Sequence, residues 1–215
     1  MNILLFGATG MAGAAVLEGC LAAPVVEEVR VITRRPLMNT SAKLRPYVHK
    51  DFLNYATAEE AFRGVHACLF CLGVSVTQVS KEEYRTITYS YTLAAANMLK
   101  RCSPGAAFHY VSGRGTSAGS RMFWAQVKAQ VEADLIQLVQ ADCWRAAFID
   151  AKPSARMPKV YAWFVPVGKL FRSFPHLYVR GTDLGRAMLQ ATLENIRGRV
   201  IENAEIRAIA ARAKF

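Results

Sequence analysis

Three glycines near the start of the chain are the first residues with an evident chemical use. Gly7, Gly10 and Gly13 follow the apolar run 3–6 and open the alanine-rich segment 11–22. A glycine turn between a strand and a helix lets a pyrophosphate approach the main chain, and the helix N–H groups then face the anion. The pattern predicts a dinucleotide-binding turn, and the alternative is an ordinary tight turn between a strand and a helix.

Two arginines end the second predicted strand, 29–33. An NAD site usually has a carboxylate about twenty residues beyond the glycines, where it binds the adenosine ribose. Here Arg34 and Arg35 stand in that region without a carboxylate. Because a guanidinium can hold a phosphate with two hydrogen bonds, the pair favours NADP(H) over NAD(H). The alternative is that at least one of the two lies on a solvated loop.

Strands and helices alternate along the chain, and they must position these residues. Strands are predicted at 3–6, 29–33, 47–49, 67–72, 108–112, 143–149 and 200–201. Helices are predicted at 11–22, 58–62, 81–101, 122–140, 182–195 and 205–213. Because parallel crossovers are right-handed, this order predicts an α/β fold: one Rossmann-like domain, 1–215, with a doubly wound parallel sheet and a small C-terminal substrate-side extension. The ligand is expected at the carboxyl ends of the strands.

Composition narrows the class of protein. The chain of 215 residues has 27 Lys and Arg against 16 Asp and Glu, a net charge of +11, which favours anionic partners. The basic residues are dispersed along the chain, so only the net charge supports nucleic-acid binding. Five scattered cysteines favour a reducing compartment. No run is long and apolar enough for a transmembrane segment, and no basic segment precedes the first strand, so a cytoplasmic location is predicted.

The sequence predicts no metal site. The four histidines show no mutual spacing that suggests metal ligation. Cys68 and Cys71 form a Cys-x-x-Cys pair, but the pair lies inside an apolar run without a second cysteine pair. A buried strand therefore explains these cysteines better than zinc or redox chemistry.

The segment 152–181 differs in amino-acid composition from the rest of the chain. It contains four prolines among basic and aromatic residues. We interpret it as a wall of the substrate pocket, and the alternatives are an interface in a homodimer or with a protein partner, or a patch on a membrane surface.

The chain resembles the short-chain dehydrogenase/reductase superfamily in its extended or atypical branch. The matching residues are the glycine turn, Asp51 after the third strand, Cys71-Leu72-Gly73 and Ser112. Segments 112–115, 126–132 and 181–188 are most similar to proteins related to the Tat-interacting oxidoreductase, and NmrA-like proteins are more distant. The resemblance implies that these residues bind the cofactor: Gly7, Thr9, Gly10, Met11, Gly13, Arg34, Arg35, Asp51, Phe52, Cys71, Leu72, Gly73 and Lys128. Asp51 would contact the adenine amino group, although it could also be an ordinary polar strand end.

The family's catalytic residues are a serine and a Tyr-x-x-x-Lys on the next helix. Ser112 and Lys128 match, but Trp124 occupies the tyrosine position. In the family, the tyrosine transfers a proton, the lysine holds the nicotinamide ribose and the serine orients the substrate. An indole N–H cannot transfer a proton in this way. Candidates for a displaced donor are four tyrosines that could equally serve in packing: Tyr84, Tyr89, Tyr91 and Tyr110.

Two functions are compatible with this sequence. The first is an NADP(H)-dependent oxidoreductase that acts on a small carbonyl or alcohol through Ser112 and Lys128, with another group as proton donor. The second is a catalytically weak NADP(H)-binding protein that senses redox state and acts through a protein partner. The replacement of the tyrosine by Trp124 favours the second function, and the intact cofactor residues are compatible with both.

Overall fold

The computed structural model describes residues 1–37, 41–151 and 171–215. In this part of the chain, the strands are β1 (Asn2–Phe6), β2 (Glu28–Thr33), β3 (Leu44–Val48), β4 (Ala67–Phe70), β5 (Ala107–Val111), β6 (Asp142–Arg145), β7 (Phe148–Asp150), β8 (Tyr178–Arg180) and β9 (Val200–Glu202). Seven of them form a sheet in the order β3-β2-β1-β4-β5-β6-β9, and β7 pairs with β8. Every neighbouring pair is parallel. The predicted parallel α/β sheet is confirmed.

Helices cover both faces of this sheet. They are α1 (Met11–Ala22), α2 (Lys81–Arg85), α3 (Tyr91–Cys102), α4 (Phe123–Val139), α5 (Gly181–Leu193) and α6 (Asn203–Arg212). A π-helical turn, Thr86–Ser90, joins α2 to α3, and 3-10 turns lie at Ala56–Phe62 and Phe171–Ser173. The predicted helix 81–101 is therefore continuous, with a π turn that its sequence did not indicate.

The central strand β1 separates two apolar cores. Ile3 and Leu5 belong to the core on the side of α1 and α5, whereas Leu4 and Phe6 belong to the core on the side of α3 and α4. All four side chains are fully buried. Because side chains alternate between the faces of a strand, an unbroken apolar run is what a strand covered on both faces requires.

Helices α1 and α5 approach each other closely through small residues. A Cβ atom at Gly181 would lie 2.3 Å from Ala15 Cβ, and one at Gly185 would lie 3.1 Å from the Val16 carbonyl oxygen. Larger side chains there would separate the helices. This contact therefore holds α1, and with it the glycine turn, against the C-terminal part of the domain.

The observed strands differ from the predicted ones at several points: β4 ends at Phe70, β8 was not predicted, and two further differences have a local cause. The predicted strand 143–149 is divided into β6 and β7, because the Ala147 N–H donates to Asn203 Oδ1 at 2.8 Å instead of to a neighbouring strand. Asn203 is buried and also donates to the carbonyl oxygens of Pro175 and Tyr178. The third strand begins at Leu44, earlier than predicted, since Pro46 is tolerated in an edge strand.

The substrate-side segment 152–181 is described only in part. Residues 152–170 lie outside the described residues. The remainder contains the turn Phe171–Ser173 and strand β8, which pairs with β7 beside the main sheet. The assignment of this segment to a pocket wall or an interface stays a prediction.

A buried polar network connects β5, β6 and α5. Trp144 Nε1 donates to His109 Nδ1 at 3.2 Å, so His109 carries its proton on Nε2, which lies 2.8 Å from Thr192 Oγ1. Asp142 Oδ2 lies 3.4 Å from His109 Nδ1. Burial lowers the pKa of His109 to about 3 and raises the pKa of Asp142 to about 7, and the charge of Arg197 adds to the first shift and opposes the second.

We predict that Asp142→Asn makes folding stability depend on pH between pH 4 and pH 6. The pKa of His109 is lower in the folded than in the unfolded state. The fold therefore loses stability as the pH falls below about 6.5, the pKa of the unfolded histidine. The raised pKa of Asp142 contributes stability that is lost as the pH rises from about 4 to 7, so the two effects nearly cancel in the native chain. Without Asp142, the free energy of unfolding should rise by about 2 kcal/mol from pH 4 to pH 6, relative to the native chain.

Urea unfolding at both pH values measures this difference. His109→Gln is the matched control, because it leaves Asp142 alone and should show the opposite slope. Parallel stability curves for the native chain and both variants would contradict the prediction.

Candidate functional site

The glycine turn has the geometry of an anion-binding loop. Gly7 has a φ of +79°, and its carbonyl oxygen accepts a hydrogen bond of 2.8 Å from the Gly10 N–H. Gly13 lies against the same carbonyl, because a Cβ atom there would come within 2.2 Å of it. The turn therefore folds back so closely that there is no room for a side chain at Gly13. Thr9 and Met11 lie within this turn.

The start of α1 can accept an anion. Its N-cap residue, Gly10, makes no side-chain capping bond, and the first turn contains no acidic residue. The N–H groups of a first helical turn have no partner within the helix, and the helix dipole favours negative charge there. This end of α1 suits a phosphate.

The glycine turn lies where the strand order reverses. β1 has β2 on one side and β4 on the other, so the crossovers leave its carboxyl end in opposite directions. A Cβ atom at Gly7 would lie 2.6 Å from the main-chain atoms of Cys71 and Leu72, and the Cys71 N–H donates to the Phe6 carbonyl. The structure therefore brings the predicted residues 71–73 beside the glycine turn.

Arg34 and Arg35 are exposed at the carboxyl end of β2, the strand next to β1. Thr33 Oγ1 donates to the Arg35 carbonyl oxygen at 3.0 Å and fixes the main chain at this point. Neither guanidinium has a hydrogen bond or ion pair to another residue in the described ranges. As far as the described residues show, both guanidiniums could bind an anion at this edge of the sheet.

Asp51 and Phe52 follow β3, and their side chains have different environments. Asp51 is exposed, and its Oδ1 accepts a hydrogen bond of 3.0 Å from the Leu53 N–H. Phe52 is buried in the core, 6.3 Å from the Phe6 ring centroid, so only its main chain can face a ligand. His49 Nε2, 2.6 Å from the Asp51 carbonyl oxygen, anchors this loop and was not identified from the sequence.

Ser112 lies at the carboxyl end of β5 and already has a strong hydrogen-bond partner. Its hydroxyl donates to Glu132 Oε1 at 2.5 Å, and Thr116 Oγ1 is 3.2 Å away. Thr116 donates its own hydrogen to the Gly113 carbonyl oxygen. In this arrangement the Ser112 hydroxyl cannot donate a hydrogen bond to a substrate carbonyl, although its oxygen can accept a hydrogen bond.

Arg145, at the end of β6, holds the carboxylate that Ser112 contacts. Its Nη2 lies 2.7 Å from Glu132 Oε2 and its Nε lies 3.1 Å from Glu132 Oε1, while its Nη1 binds Glu202. Sequence reasoning did not identify this ion pair. The sequence signal that could have drawn attention to Glu132 is its position four residues after Lys128, which places Glu132 and Lys128 on one face of α4.

Lys128 is a residue of α4, and its ammonium reaches the carboxyl end of β5. Its Nζ donates to the Val111 carbonyl oxygen at 3.2 Å and is 5.3 Å from the Tyr110 ring centroid. Burial lowers the pKa of Lys128 to about 8, against the opposing attraction of Glu132. The Lys128 ammonium therefore contacts the main chain of the residue before Ser112, and the catalytic role of the two residues stays a prediction.

Trp124 packs over the loop that follows Ser112. A Cβ atom at Gly113 or Gly115 would lie 3.8 or 3.7 Å from its six-membered ring. The indole is half-buried, one helical turn before Lys128. It therefore lies against the loop after Ser112, and its role as the counterpart of the family's tyrosine stays a prediction.

The four tyrosines proposed as alternative donors have other contacts. Tyr84 and Tyr110 are buried, and burial raises the pKa of both. Tyr89 donates to Asp134 at 2.7 Å, and the Tyr91 ring lies 5.5 Å from Phe52. Packing or hydrogen bonding accounts for Tyr84, Tyr89 and Tyr91, whereas the buried Tyr110 hydroxyl has no hydrogen-bond partner among the described residues.

Besides the glycine turn, the described part of the chain has a groove, but no group of metal ligands and no helix that could span a membrane. A groove of about 470 Å³ is at the amino edge of the sheet, between Met1, His66, Thr192 and Arg197, and therefore opposite the glycine turn. Across residues 1–37, 41–151 and 171–215, no three His, Cys, Asp or Glu side chains are grouped to hold a metal. No helix in these ranges has both the length and the apolar character of a membrane span.

Comparison with known sequences identifies related proteins. The family described as "NAD dependent epimerase/dehydratase family" matches residues 3–121. "Leucinostatins biosynthesis cluster protein T" of Purpureocillium lilacinum is 27% identical over 64% of this chain and 52% of its own length. "Protein HTATIP2" of Rattus norvegicus is 25% identical over 64% and 57%, and "Protein FMP52, mitochondrial" of Candida albicans is 23% identical over 64% and 62%. The match thus spans less than two thirds of each of these relatives.

Solved structures share the fold. "MoeE5 in complex with UDP-glucose and NAD" superposes with a TM-score of 0.70 at 13% identity, over 100% of this chain and 82% of that chain. An oxidoreductase of the short-chain dehydrogenase/reductase family from Burkholderia thailandensis superposes with a TM-score of 0.70 at 16% identity, over 95% and 92%. At such low identity, these matches concern the fold alone.

Proposed function

Because this chain belongs to the NAD-dependent epimerase/dehydratase family, within the short-chain dehydrogenase/reductase superfamily, we propose that it is an NADP(H)-dependent oxidoreductase acting on a small carbonyl or alcohol. The observation that carries the cofactor choice is the pair of exposed arginines, Arg34 and Arg35, at the end of β2. They lie at the same sheet edge as the glycine turn, and the described residues that follow β2, 34–37, include no carboxylate that would bind a ribose.

The residues at this edge fit a dinucleotide. A backbone cradle that a Cβ atom would fill, at Gly7 and Gly13, and the uncapped start of α1 suit the pyrophosphate. Lys128 has N–H donors for the nicotinamide ribose. The cofactor supplies a hydride when it is bound. The chain's own contribution is to hold the substrate oxygen beside Ser112 and Lys128 and to exchange a proton with it.

Calorimetry with NADPH and NADH tests the cofactor assignment. We expect tight NADPH binding and at least tenfold weaker NADH binding, since one lost charge-assisted hydrogen bond costs about 1.5 kcal/mol or more. The NADPH complex is then incubated with aldehydes, ketones and quinones while absorbance is followed. Oxidation of NADPH supports an enzyme, whereas absence of binding by both nucleotides would refute the proposal.

Trp124→Tyr is expected to raise carbonyl reduction at least about tenfold, because a positioned general acid typically contributes about 10²–10⁴-fold. The phenol would lie one turn before Lys128, beside the Ser112 loop. Trp124→Phe is the matched control, since it also removes the indole but adds no hydroxyl. Equal rates for the two variants, with cofactor binding intact, would contradict this prediction.

The second candidate is a redox sensor that binds NADP(H) with little catalysis and acts through a protein partner. Trp124 favours it, because the indole N–H does not exchange protons with a substrate. NADPH binding without oxidation of any compound in the panel would support this alternative. The cytoplasmic location also stays a proposal, because the names of the related FMP52 proteins place those proteins in mitochondria.

A further inference from the structure

Lys128 differs from the other charged groups around Ser112 because it has no carboxylate partner. Among the described residues, its ammonium makes one hydrogen bond, to the Val111 carbonyl oxygen, and it faces the Tyr110 ring. No carboxylate in the described part of the chain forms an ion pair with it. The ammonium therefore has N–H groups at the carboxyl end of β5 that have no acceptor among the described residues.

Glu132 is the obvious partner for Lys128, but other groups occupy it. It lies one helical turn after Lys128, at a spacing that normally favours an ion pair. Its Oε1 accepts from Ser112 at 2.5 Å and from Arg145 at 3.1 Å, and its Oε2 lies 2.7 Å from Arg145 Nη2. Arg145 thus binds both oxygens of this carboxylate, which attracts the Lys128 ammonium without forming an ion pair with it.

The other titratable groups near Lys128 carry no charge that would replace Glu132. Tyr110 on β5 and Cys143 on β6 are buried, and burial raises the pKa of both, so both are neutral at physiological pH. Desolvation consequently dominates at Lys128, whose pKa is lowered to about 8. An amine in this range can both give and take a proton near neutral pH.

Three groups near Lys128, the side chains of Ser112, Glu132 and Trp124, are poorly suited to give a proton to a substrate. The Ser112 hydrogen is donated to Glu132, and both Glu132 oxygens accept hydrogen bonds from Arg145. The Trp124 indole does not exchange its proton usefully. The Tyr110 hydroxyl keeps its proton, because burial raises its pKa well above the usual value. Among these described groups, Lys128 is therefore the one that can exchange a proton near neutral pH.

We propose that Lys128 itself gives the proton to the substrate oxygen, in place of the missing tyrosine, and that Arg145 is a positioning residue that keeps Lys128 unpaired by holding Glu132. This inference rests on the proposed reductase function. In the reaction, the carbonyl carbon gains the hydride that NADPH supplies, and the π electron pair moves to the oxygen. That oxygen takes a proton from the Lys128 ammonium, and the resulting amine regains one from water.

The first test measures the titration of Lys128 directly, without activity. Protein labelled with ¹³C-lysine is titrated by NMR, and the Lys128 signal is assigned by its absence in Lys128→Met. We expect a midpoint near pH 8, compared with about 10.4 for an ordinary lysine. Glu132→Gln should lower the midpoint and Arg145→Met should raise it, because the first removes a negative charge and the second frees it for Lys128.

The second test separates proton transfer from cofactor binding. Lys128→Arg keeps a cationic donor for the ribose, but a guanidinium does not release its proton. NADPH binding by calorimetry should stay within about threefold of the native chain, while reduction of the panel carbonyls should fall by at least about 100-fold. Turnover of the arginine variant at the native rate, or a Lys128 midpoint near the ordinary lysine value, would overturn the proposal. Failure of the native chain to bind NADPH would instead remove the reductase function itself.

Discussion

Replacing both Arg34 and Arg35 with alanine is expected to weaken NADPH binding by about 100-fold and to leave NADH binding nearly unchanged. The two guanidiniums are exposed and have no partner among the described residues, so their removal leaves no buried charge behind. Charge-assisted hydrogen bonds contribute about 1.5–3 kcal/mol each, and solvent exposure places these at the low end. Two such losses amount to about 3 kcal/mol, or about 100-fold in affinity.

The control for this variant must remove the same charge elsewhere. Arg63 and Arg101 are also exposed, and both contact Glu59 near the amino ends of the strands, away from the glycine turn. Their double replacement by alanine lowers the net charge equally and should leave both affinities within about twofold. An equal loss of NADPH and NADH affinity in the Arg34/Arg35 variant would show that these arginines do not recognise the 2′-phosphate.

Gly13→Ala is expected to reduce NADPH binding by at least about 100-fold and to destabilise the fold by about 1–3 kcal/mol. The new Cβ atom would lie 2.2 Å from the Gly7 carbonyl oxygen and 2.6 Å from its carbon. Both are main-chain atoms, so the turn itself must move, and with it the N–H groups that would hold the pyrophosphate. Intrinsic helix propensity predicts the opposite, because alanine is favoured over glycine by about 1 kcal/mol inside a helix.

Gly105→Ala serves as the control for this substitution. A Cβ atom there meets no other atom within 4 Å, and Gly105 lies in the turn between α3 and β5. Its thermal unfolding and NADPH affinity should match those of the native chain. A Gly13→Ala variant that is as stable as the native chain and binds NADPH equally well would contradict the proposed role of the turn.

The fold was predictable because strong local signals agree along most of the chain. The apolar run before Gly7 is buried on both faces of β1, and the second long helix is observed at Phe123–Val139, close to the predicted 122–140. Errors occur where one distant side chain redirects the backbone. Asn203 takes the Ala147 N–H and ends β6, and no pattern within 143–149 contains that information.

The sequence by itself determined the parallel α/β fold, the glycine turn and the candidate residues of the cofactor and catalytic sites, because each depends on residue types at fixed local spacing. Only the tertiary structure decided which charges neutralise one another. Glu132 and Arg145 belong to different elements, and their ion pair leaves Lys128 without a carboxylate. Burial and ion pairing depend on three-dimensional neighbours, and these determine whether a lysine at this position can exchange its proton near neutral pH.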